Sequence, residues 1–379
     1  MKIIVLGAGL IGAPMAIDLS KDSEFSVCIA DLNEQALSKI DRQHQIDTVN
    51  VDISKPNNVA DLVSDYDIVV NAVPGFMGYQ TLKSIIEASK DVIDIAFFPE
   101  DPFELSELAK KNCVRAVVDC GVAPGMSNIL VGYMDSILDS TENILIYVGG
   151  LPEIRRLPFE YKAPFSPIDV IEEYTRPARY VENGKLIIRP ALSEPELINF
   201  PSIGTLEAFN TDGLRSLAKT MNAPNMKEKT LRYPGHIDKM RILRDTGFFS
   251  HDEINVNGVN IRPIDLTSKL LFPKWKYSKG EAEVTIMQVT VEGIKDGERL
   301  RYRYDLIDRY DEITQTSSMA RTTGYTATMA VRLLANGLYS RTGLSAPEHI
   351  GMQSKCVEFL LNGLNERGVV YKETIKELI

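Results

Sequence analysis

Three glycines near the start of the chain have the spacing of a phosphate-binding loop. They directly follow the apolar, β-branched run of residues 2–6 and open a helical pattern. In such a loop the first glycine permits a tight turn, the second lets a pyrophosphate approach the backbone, and the third lets the helix pack on the strand. Free N–H groups at the helix start can then hold phosphates. The predicted loop comprises Gly7, Gly9, Leu10, Ile11 and Gly12.

An acidic residue, Asp31, ends the second strand-like run, about 20 residues further along, as a dinucleotide fold requires. Its carboxylate can accept hydrogen bonds from both hydroxyls of a ribose and would repel a 2′-phosphate. Leu32 and Asn33 follow it, and neither is basic. The sequence therefore favours NAD over NADP as the cofactor. A Rossmann fold with an inactive site, or one that binds another nucleotide, is the alternative.

Further cofactor contacts follow from topology, because ligands of parallel sheets bind at the carboxyl ends of the strands. Asp52 and Ile53 end the third predicted strand and are expected to flank adenine. Asn71, Ala72 and Val73 end the fourth and are expected to run beneath the cofactor. Asp52 could instead be a helix N-terminal residue.

Acidic residues also end the fifth and sixth predicted strands, where the nicotinamide ring is expected. Asp94 and Asp119 could each orient an amine or act as a base, and Asp119 is better placed because its loop opens the second domain. That loop runs from Gly121 to Asn128, and its Pro and Gly residues leave a bare helix N-terminus that suits a carboxylate. A domain linker with a helix cap is the alternative interpretation.

Composition limits the class of protein. A chain of 379 residues is long enough for two domains, and 44% hydrophobic with 25% charged residues is typical of a globular protein. The net charge of -10 argues against nucleic-acid binding. No apolar run reaches the length of a membrane span, no Cys or His pattern indicates a metal site, and the four cysteines form no CxxC pair. We therefore expect a cytoplasmic protein with reduced thiols, no bound metal and no membrane or nucleic-acid partner.

The elements that must position these residues change character after residue 120. Before it, strands and helices alternate and the strands are apolar throughout, which predicts a parallel sheet covered on both faces. After it come long strand-like segments, two of which form a predicted antiparallel hairpin around residues 293–297. Residues 318–338 are predicted to be helical, and the tail to be a helix, a turn, a short strand and a helix. The fold class is thus α/β, with an N-terminal Rossmann dinucleotide-binding domain and a mixed α+β domain.

Several short motifs together carry a resemblance. They are the stretches 119–128 (DCGVAPGMSN), 147–152 (YVGGLP), 201–209, 232–236 (RYPGH) and 320–326. As a set they resemble the saccharopine dehydrogenase-like family and, within it, the lysine 6-dehydrogenases. The resemblance implies an NAD(P)-linked dehydrogenase, a homodimer, and C-terminal helices that return to the Rossmann domain. It gives a Rossmann domain of residues 1–120 and 320–379 and a catalytic and dimerisation domain of residues 121–319.

The same resemblance directs attention to the substrate side. His236 matches the family pattern and is the first choice among four histidines for a base, with a structural role as the alternative. Arg215 departs from the small residue expected in a lysine 6-dehydrogenase, and it could pair bidentately with a carboxylate or be structural. The predicted substrate contacts are Gly121, Asn128, Tyr161, Thr211 and Arg215.

Three functions therefore remain open from the sequence. The first is oxidative deamination of lysine by an NAD-linked lysine 6-dehydrogenase. The second is a saccharopine dehydrogenase or a related dehydrogenase of a secondary, carboxyalkyl amine. The third is a sensor that binds NAD and a small ligand without turnover, and this one predicts no catalytic base beside the nicotinamide.

Overall fold

The computed structural model describes residues 1–44 and 46–378 and contains two compact units. The first unit comprises Met1–Ile137 and Met319–Tyr371, and the second comprises Leu138–Ser318 and the described chain from Lys372 onward. These bounds differ from the expected division at residues 120 and 320. The helix after residue 125 packs against C-terminal helices of the first unit, and the last strand extends the sheet of the second unit.

The first stretch of the first unit alternates strands and helices. Its strands are β1 (Lys2–Leu6), β2 (Ser26–Asp31), β3 (Asp47–Asn50), β4 (Ile68–Asn71), β5 (Asp91–Asp94) and β6 (Arg115–Val117). Its helices are α1 (Gly12–Leu19), α2 (Glu34–His44), α3 (Pro56–Val63), α4 (Gly75–Glu87), α5 (Ser106–Lys111) and α6 (Met126–Ile137). Apolar strands such as residues 3–6 are fully buried because helices cover both faces of the sheet.

The second unit is built on a mixed sheet. Its strands are β7 (Ser140–Pro152), β8 (Ala178–Glu182), β9 (Lys185–Arg189), β10 (Glu196–Phe200), β11 (Gly204–Asn210), β12 (Asn225–Arg232), β13 (Ile254–Val256), β14 (Val259–Ile261), β15 (Glu283–Lys295) and β16 (Glu298–Arg309). Its helices are α7 (Pro167–Thr175), α8 (Leu217–Thr220), α9 (His236–Asp245) and α10 (Pro263–Trp275). The expected antiparallel hairpin is β15–β16, with Val284 opposite Arg309 and Lys295 opposite Glu298.

The C-terminal segment completes both units. It comprises α11 (Ser318–Ala335), β17 (Gly343–Ser345), α12 (Pro347–Gly351), α13 (Ser354–Glu366) and β18 (Tyr371–Glu377). Strand β17 gives the first sheet its seventh strand, in the order β17-β6-β5-β4-β1-β2-β3, with every pairing parallel. The second sheet runs β10-β11-β12-β7-β15-β16-β18, with β8 paired to β12 and β9 paired to β8. The predicted α/β fold with helices returning to the Rossmann unit is confirmed.

The expected final helix is absent, because residues 371–377 form strand β18 instead. The Tyr304 hydroxyl donates to the Glu373 carboxylate at 2.6 Å, and the Leu378 N–H donates to the Arg299 carbonyl at 2.8 Å. Pairing with the edge of β16 thus outweighs the intrinsic helical preference of the Lys and Glu residues in this segment. Among the helices that the structure describes, none combines the length and the apolar character needed to cross a membrane.

Candidate functional site

The glycine loop between β1 and α1 fits a dinucleotide. Gly7 has a φ of +108°, and a side chain there would come within 2.7 Å of the Ala72 carbonyl oxygen. A side chain at Gly12 would overlap the Gly7 carbonyl, so these two glycines are needed by the fold itself. At Gly9, by contrast, no atom lies within 4 Å of the position that a side-chain carbon would take, and the start of α1 has no side-chain cap. The open backbone and uncapped N–H groups are suited to a pyrophosphate.

Asp31 borders this loop in a fixed orientation. One carboxylate oxygen accepts the Ala8 N–H at 2.6 Å, and the other accepts the Asn33 N–H at 2.7 Å. The Asn50 amide donates to the carbonyl oxygens of Asp31 and Leu32, at 3.3 and 2.9 Å, and thereby fixes the turn. Each carboxylate oxygen retains lone pairs, so the group can still accept from ribose hydroxyls.

The remaining predicted cofactor residues occupy strand ends of the same unit. Asp52 accepts hydrogen bonds from the Ser54 N–H (3.1 Å) and hydroxyl (2.6 Å), which places it in the turn before α3. Ile53 and Val73 are buried, and Ala72 lies against the glycine loop. Leu10 is 64% exposed at the loop tip, beside the half-buried Ile11.

The two predicted catalytic acids lie near each other in the first unit. Asp94 is fully buried, and its carboxylate accepts from the Asn71 amide at 2.5 Å and from the Ala96 N–H at 2.8 Å. Asp119 is buried with a φ of +53°. Burial, aided by Asp94 and then Asp119, raises the pKa of the Cys120 thiol to about 12, so this thiol stays protonated at neutral pH. The acids thus flank an unreactive cysteine.

The loop after Cys120 is tightly folded, and Asn128 lies inside the first unit. The Gly121 N–H donates to the Pro124 carbonyl at 3.1 Å. Asn128 is fully buried, accepts from the Ser127 hydroxyl at 2.9 Å and donates to the Glu348 carboxylate at 3.3 Å. Asn128 therefore connects α6 to α12, and its role as a substrate contact stays a prediction.

In the second unit, a buried polar network surrounds Arg232. The Arg232 guanidinium forms an ion pair with Glu173, lies 4.4 Å from the centre of the Tyr161 ring, and donates from Nε to the Tyr174 hydroxyl at 3.0 Å. That hydroxyl lies 3.0 Å from Nε2 of His236, whose Nδ1 lies 2.9 Å from the Phe159 carbonyl. A continuous donor chain runs from Arg232 through Tyr174 and His236 to Phe159, with the His236 proton on Nδ1.

This network keeps His236 neutral. Burial and the nearby Arg232 charge lower the pKa of His236 to about 3. Both ring nitrogens of this predicted base have hydrogen-bond partners inside the network. Tyr161, a predicted substrate contact, is buried in the same network, and burial raises its pKa.

Thr211 and Arg215 belong to a neighbouring turn of the second unit. Thr211 donates to the Glu228 carboxylate at 2.5 Å. Asp212 forms two hydrogen bonds of 2.7 Å with the Arg179 guanidinium. Arg215 is 8% exposed and has a φ of +50°.

Sequence reasoning missed Glu173, Tyr174 and Glu228 and took Arg232 only as part of a motif. The sequence carried no alternation that would have marked Glu228, because residues 227–230 (KEKT) are polar on both faces of β12. Over the chain apart from residues 45 and 379, no group of three His, Cys, Asp or Glu side chains could hold a metal ion.

Comparison with known families assigns both parts of the chain. Residues 3–117 match the family model for the saccharopine dehydrogenase NADP binding domain. Residues 121–369, more than half of the chain, match that for the saccharopine dehydrogenase C-terminal domain. The chain belongs to the saccharopine dehydrogenase family. The expected family is therefore confirmed, and Asp119 and Cys120 lie at the junction of its two matched domains.

Individual family members are distant in sequence but similar over long stretches. Carboxyaminopropylagmatine dehydrogenase of Synechocystis sp. is 22% identical, over 99% of this chain and 98% of its own. The mitochondrial alpha-aminoadipic semialdehyde synthase of Bos taurus is 20% identical over 99% of this chain, which spans only 48% of that protein. The apo structure of saccharopine dehydrogenase (L-Glu forming) from Saccharomyces cerevisiae superimposes with a TM-score of 0.80 at 18% identity, over 99% of both chains. This likeness shows the shared fold.

Proposed function

We propose that the chain is a nicotinamide-dependent dehydrogenase that acts at the C–N bond of an amino-acid-derived amine. The observation that carries the proposal is the glycine loop, closed to side chains at Gly7 and Gly12 but open at Gly9, in a chain matched throughout by saccharopine dehydrogenase domains. When bound, the nicotinamide supplies the hydride chemistry. The polypeptide must bind the amine, exclude water and manage its proton.

Proton removal is the step for which side chains are needed. A lysine-type amine has a pKa near 10.4, and its nitrogen lone pair must be free before the C–N carbon can lose hydride. We assign this task to Asp119, because it stands at the junction of the two matched domains. In this assignment His236 supports the network around Arg232, and Asp94 positions the strand end from which the Asp119 loop departs.

For the cofactor, we propose NAD. The matched domain is described as NADP binding, and so are two saccharopine dehydrogenases among the relatives, from Pyricularia oryzae and Schizosaccharomyces pombe. Asp31 argues against NADP, because its carboxylate borders the glycine loop. The 2′-phosphate of NADP would bring about two further negative charges next to it, and the two groups would repel each other. Asn33 and Asn50 complete that turn, and neither supplies a cation.

For the substrate, we propose a secondary amine that joins an amino acid to a carboxyalkyl group, with saccharopine as the first compound to test. The family match and the full-length similarity to a carboxyaminopropylagmatine dehydrogenase support this class. Lysine is the second candidate. It is favoured by the pairing of Arg232 with Glu173 and of Lys229 with Glu196, because these pairs reduce the positive charge that several substrate carboxylates would need.

The test is NADH or NADPH formation by the purified protein at pH 9–10, with saccharopine and L-lysine in parallel. We expect turnover of saccharopine with NAD, and we expect Asp119→Asn to lower kcat at least about a hundredfold, the usual contribution of a general base. Turnover of lysine alone would select the second candidate. Cofactor binding without turnover of any amine would contradict the enzyme assignment and favour a sensor.

A further inference from the structure

Glu228 is a buried carboxyl group surrounded by hydroxyl and backbone groups. It lies on β12 with 5% of its surface exposed, and Oε2 accepts the Thr211 hydroxyl at 2.5 Å. The Thr211 hydroxyl also lies 2.9 Å from that of Thr230. Gly213 lies so close that any side chain there would overlap the Glu228 carboxyl. The absence of a side chain at Gly213 therefore makes room for this acid.

Within residues 1–44 and 46–378, no cation pairs with Glu228. Two other buried or half-buried acids of the unit are neutralised, since Glu173 pairs with Arg232 and Asp212 with Arg179. A buried carboxylate without a counter-charge is strongly disfavoured. Burial, reinforced by the negative charges of Glu173 and Asp212, raises the pKa of Glu228 to about 8. The site around Glu228 thus lacks one positive charge.

The position of Glu228 on its strand indicates what could supply that charge. Side chains at alternate positions share one face, so Glu228, Thr230 and Arg232 form a strip along β12. Glu228 and Arg232 are four positions apart, which corresponds to about 13 Å along a strand. This is the length of an extended amino-acid chain rather than of a small ion. The strip begins with a carboxyl group, continues with hydroxyls and ends with the guanidinium that holds Glu173.

Resting on the proposed function, we propose that Glu228 receives a cationic nitrogen of the amine substrate, beside the hydroxyls of Thr211 and Thr230. The ligand class is a protonated amine or a guanidinium. Binding such a group would ionise Glu228 and provide the ion pair that the free protein lacks. Glu228 is then a specificity-determining residue, because a substrate without this cationic nitrogen would leave the Glu228 carboxyl group unpaired.

The test compares Glu228→Gln, which keeps the shape and removes the charge, with the wild-type protein. The probes are three compounds with carbon chains of similar length. Cadaverine carries two ammonium groups, and L-lysine carries an ammonium group in addition to its amino-acid zwitterion. Glutarate carries two carboxylates and no cation. We measure binding by calorimetry at pH 8.5. We expect Glu228→Gln to weaken the binding of cadaverine and of L-lysine at least about tenfold, which is about 1.4 kcal/mol in binding free energy. Glutarate binding is expected not to weaken. The matched control is Glu142→Gln, since Glu142 is 32% exposed and paired with Arg299, and it is expected to change no affinity.

Unchanged cadaverine and L-lysine affinities in Glu228→Gln would overturn the proposal, and so would failure of both cations to bind the wild-type protein. If Glu228→Gln does not fold, Glu228→Asp serves instead, because its carboxylate is withdrawn by the length of one methylene group. This variant is also expected to bind cadaverine and L-lysine more weakly than the wild-type protein. The proposed function fails separately. It falls if the wild-type protein binds amines through Glu228 but forms no reduced cofactor with any of them.

Discussion

Arg332 of α11 and Asp18 of α1 form a double contact inside the first unit. The guanidinium donates to the Asp18 carboxylate at 2.8 Å and to the Asp18 backbone carbonyl at 3.0 Å. Arg367 and the Thr328 hydroxyl donate to the same carboxylate, at 2.8 and 2.6 Å. Burial favours the neutral acid, but Arg332 and Arg367 outweigh it and lower the pKa of Asp18. The C-terminal helices thereby hold the helix that begins at the glycine loop.

We expect Arg332→Gln to destabilise the first unit by about 3 kcal/mol, because it leaves the buried Asp18 carboxylate only partly compensated. Lys21→Ala is the control, since Lys21 lies 4.0 Å from the same carboxylate but is 57% exposed, and it should cost less than about 0.5 kcal/mol. Hydrogen exchange of the α1 amides measures both. If the two variants lost the same free energy of unfolding, burial of the Arg332–Asp18 pair would not be the source of its stabilising effect.

The glycine loop predicts two different outcomes for the same type of substitution. Gly9→Ala meets no atom within 4 Å, so it should leave the melting temperature nearly unchanged but weaken cofactor binding at least about tenfold. Gly12→Ala forces a methyl group into the Gly7 carbonyl and should destabilise the fold by about 1–3 kcal/mol. Thermal unfolding and cofactor titration by fluorescence separate the two effects. A Gly9→Ala protein that binds cofactor normally would place the phosphates elsewhere.

Asp31 is expected to set cofactor choice. Asp31→Ser removes the negative charge next to the expected ribose while keeping a hydrogen-bonding group. The ratio of kcat/KM for NAD to that for NADP should fall at least about tenfold. Glu87→Gln serves as a control, because Glu87 is a half-exposed acid of α4 that is paired with Lys83. A wild-type preference for NADP, unchanged in Asp31→Ser, would contradict the assignment.

The burial of His236 predicts a specific dependence of stability on pH. Its folded pKa of about 3 lies below the ordinary value of 6.5, so the unfolded chain binds the proton first. Stability should therefore be intact above pH 6.5 and fall toward pH 3, by at most about 1.4 kcal/mol per pH unit. Unfolding can be followed by Trp275, the only tryptophan of the chain, whose ring is 5.5 Å from that of Tyr161. His236→Gln should flatten this slope, and an equal slope in both proteins would exclude His236 as its source.

Features carried by neighbouring residues were predictable from the sequence. The glycine loop, the buried parallel strands and the β15–β16 hairpin each depend on spacing within a few residues, which local sterics and alternation determine. Within the tail, only the predicted final helix was wrong, because β18 forms through the edge of a distant strand. The expected homodimer and cytoplasmic location stay predictions, which light scattering and fractionation would test.

The candidate substrate region was harder to predict because its contacts are long-range. Arg232 donates a hydrogen bond to Tyr174, which lies 58 positions away in the sequence. Elsewhere in the chain, Arg332 donates to Asp18, which lies 314 positions away. Nothing near Glu228 in the sequence signals that Gly213 and Thr211 will enclose its carboxyl group. Residue type identified candidates such as Asp119, whereas burial and pairing decide which of them can exchange a proton.

The discontinuous first unit has a consequence for synthesis of the chain. Its sheet lacks strand β17, and Asp18 lacks both arginine partners, until residues 332–367 have been translated. Residues 138–318 of the second unit therefore emerge from the ribosome before the nucleotide-binding half can close, and the second sheet in turn waits for β18. The order of translation thus makes residues 332–377 the segment that completes both sheets, so nascent chains stalled before it would expose two unfinished sheet edges to aggregation.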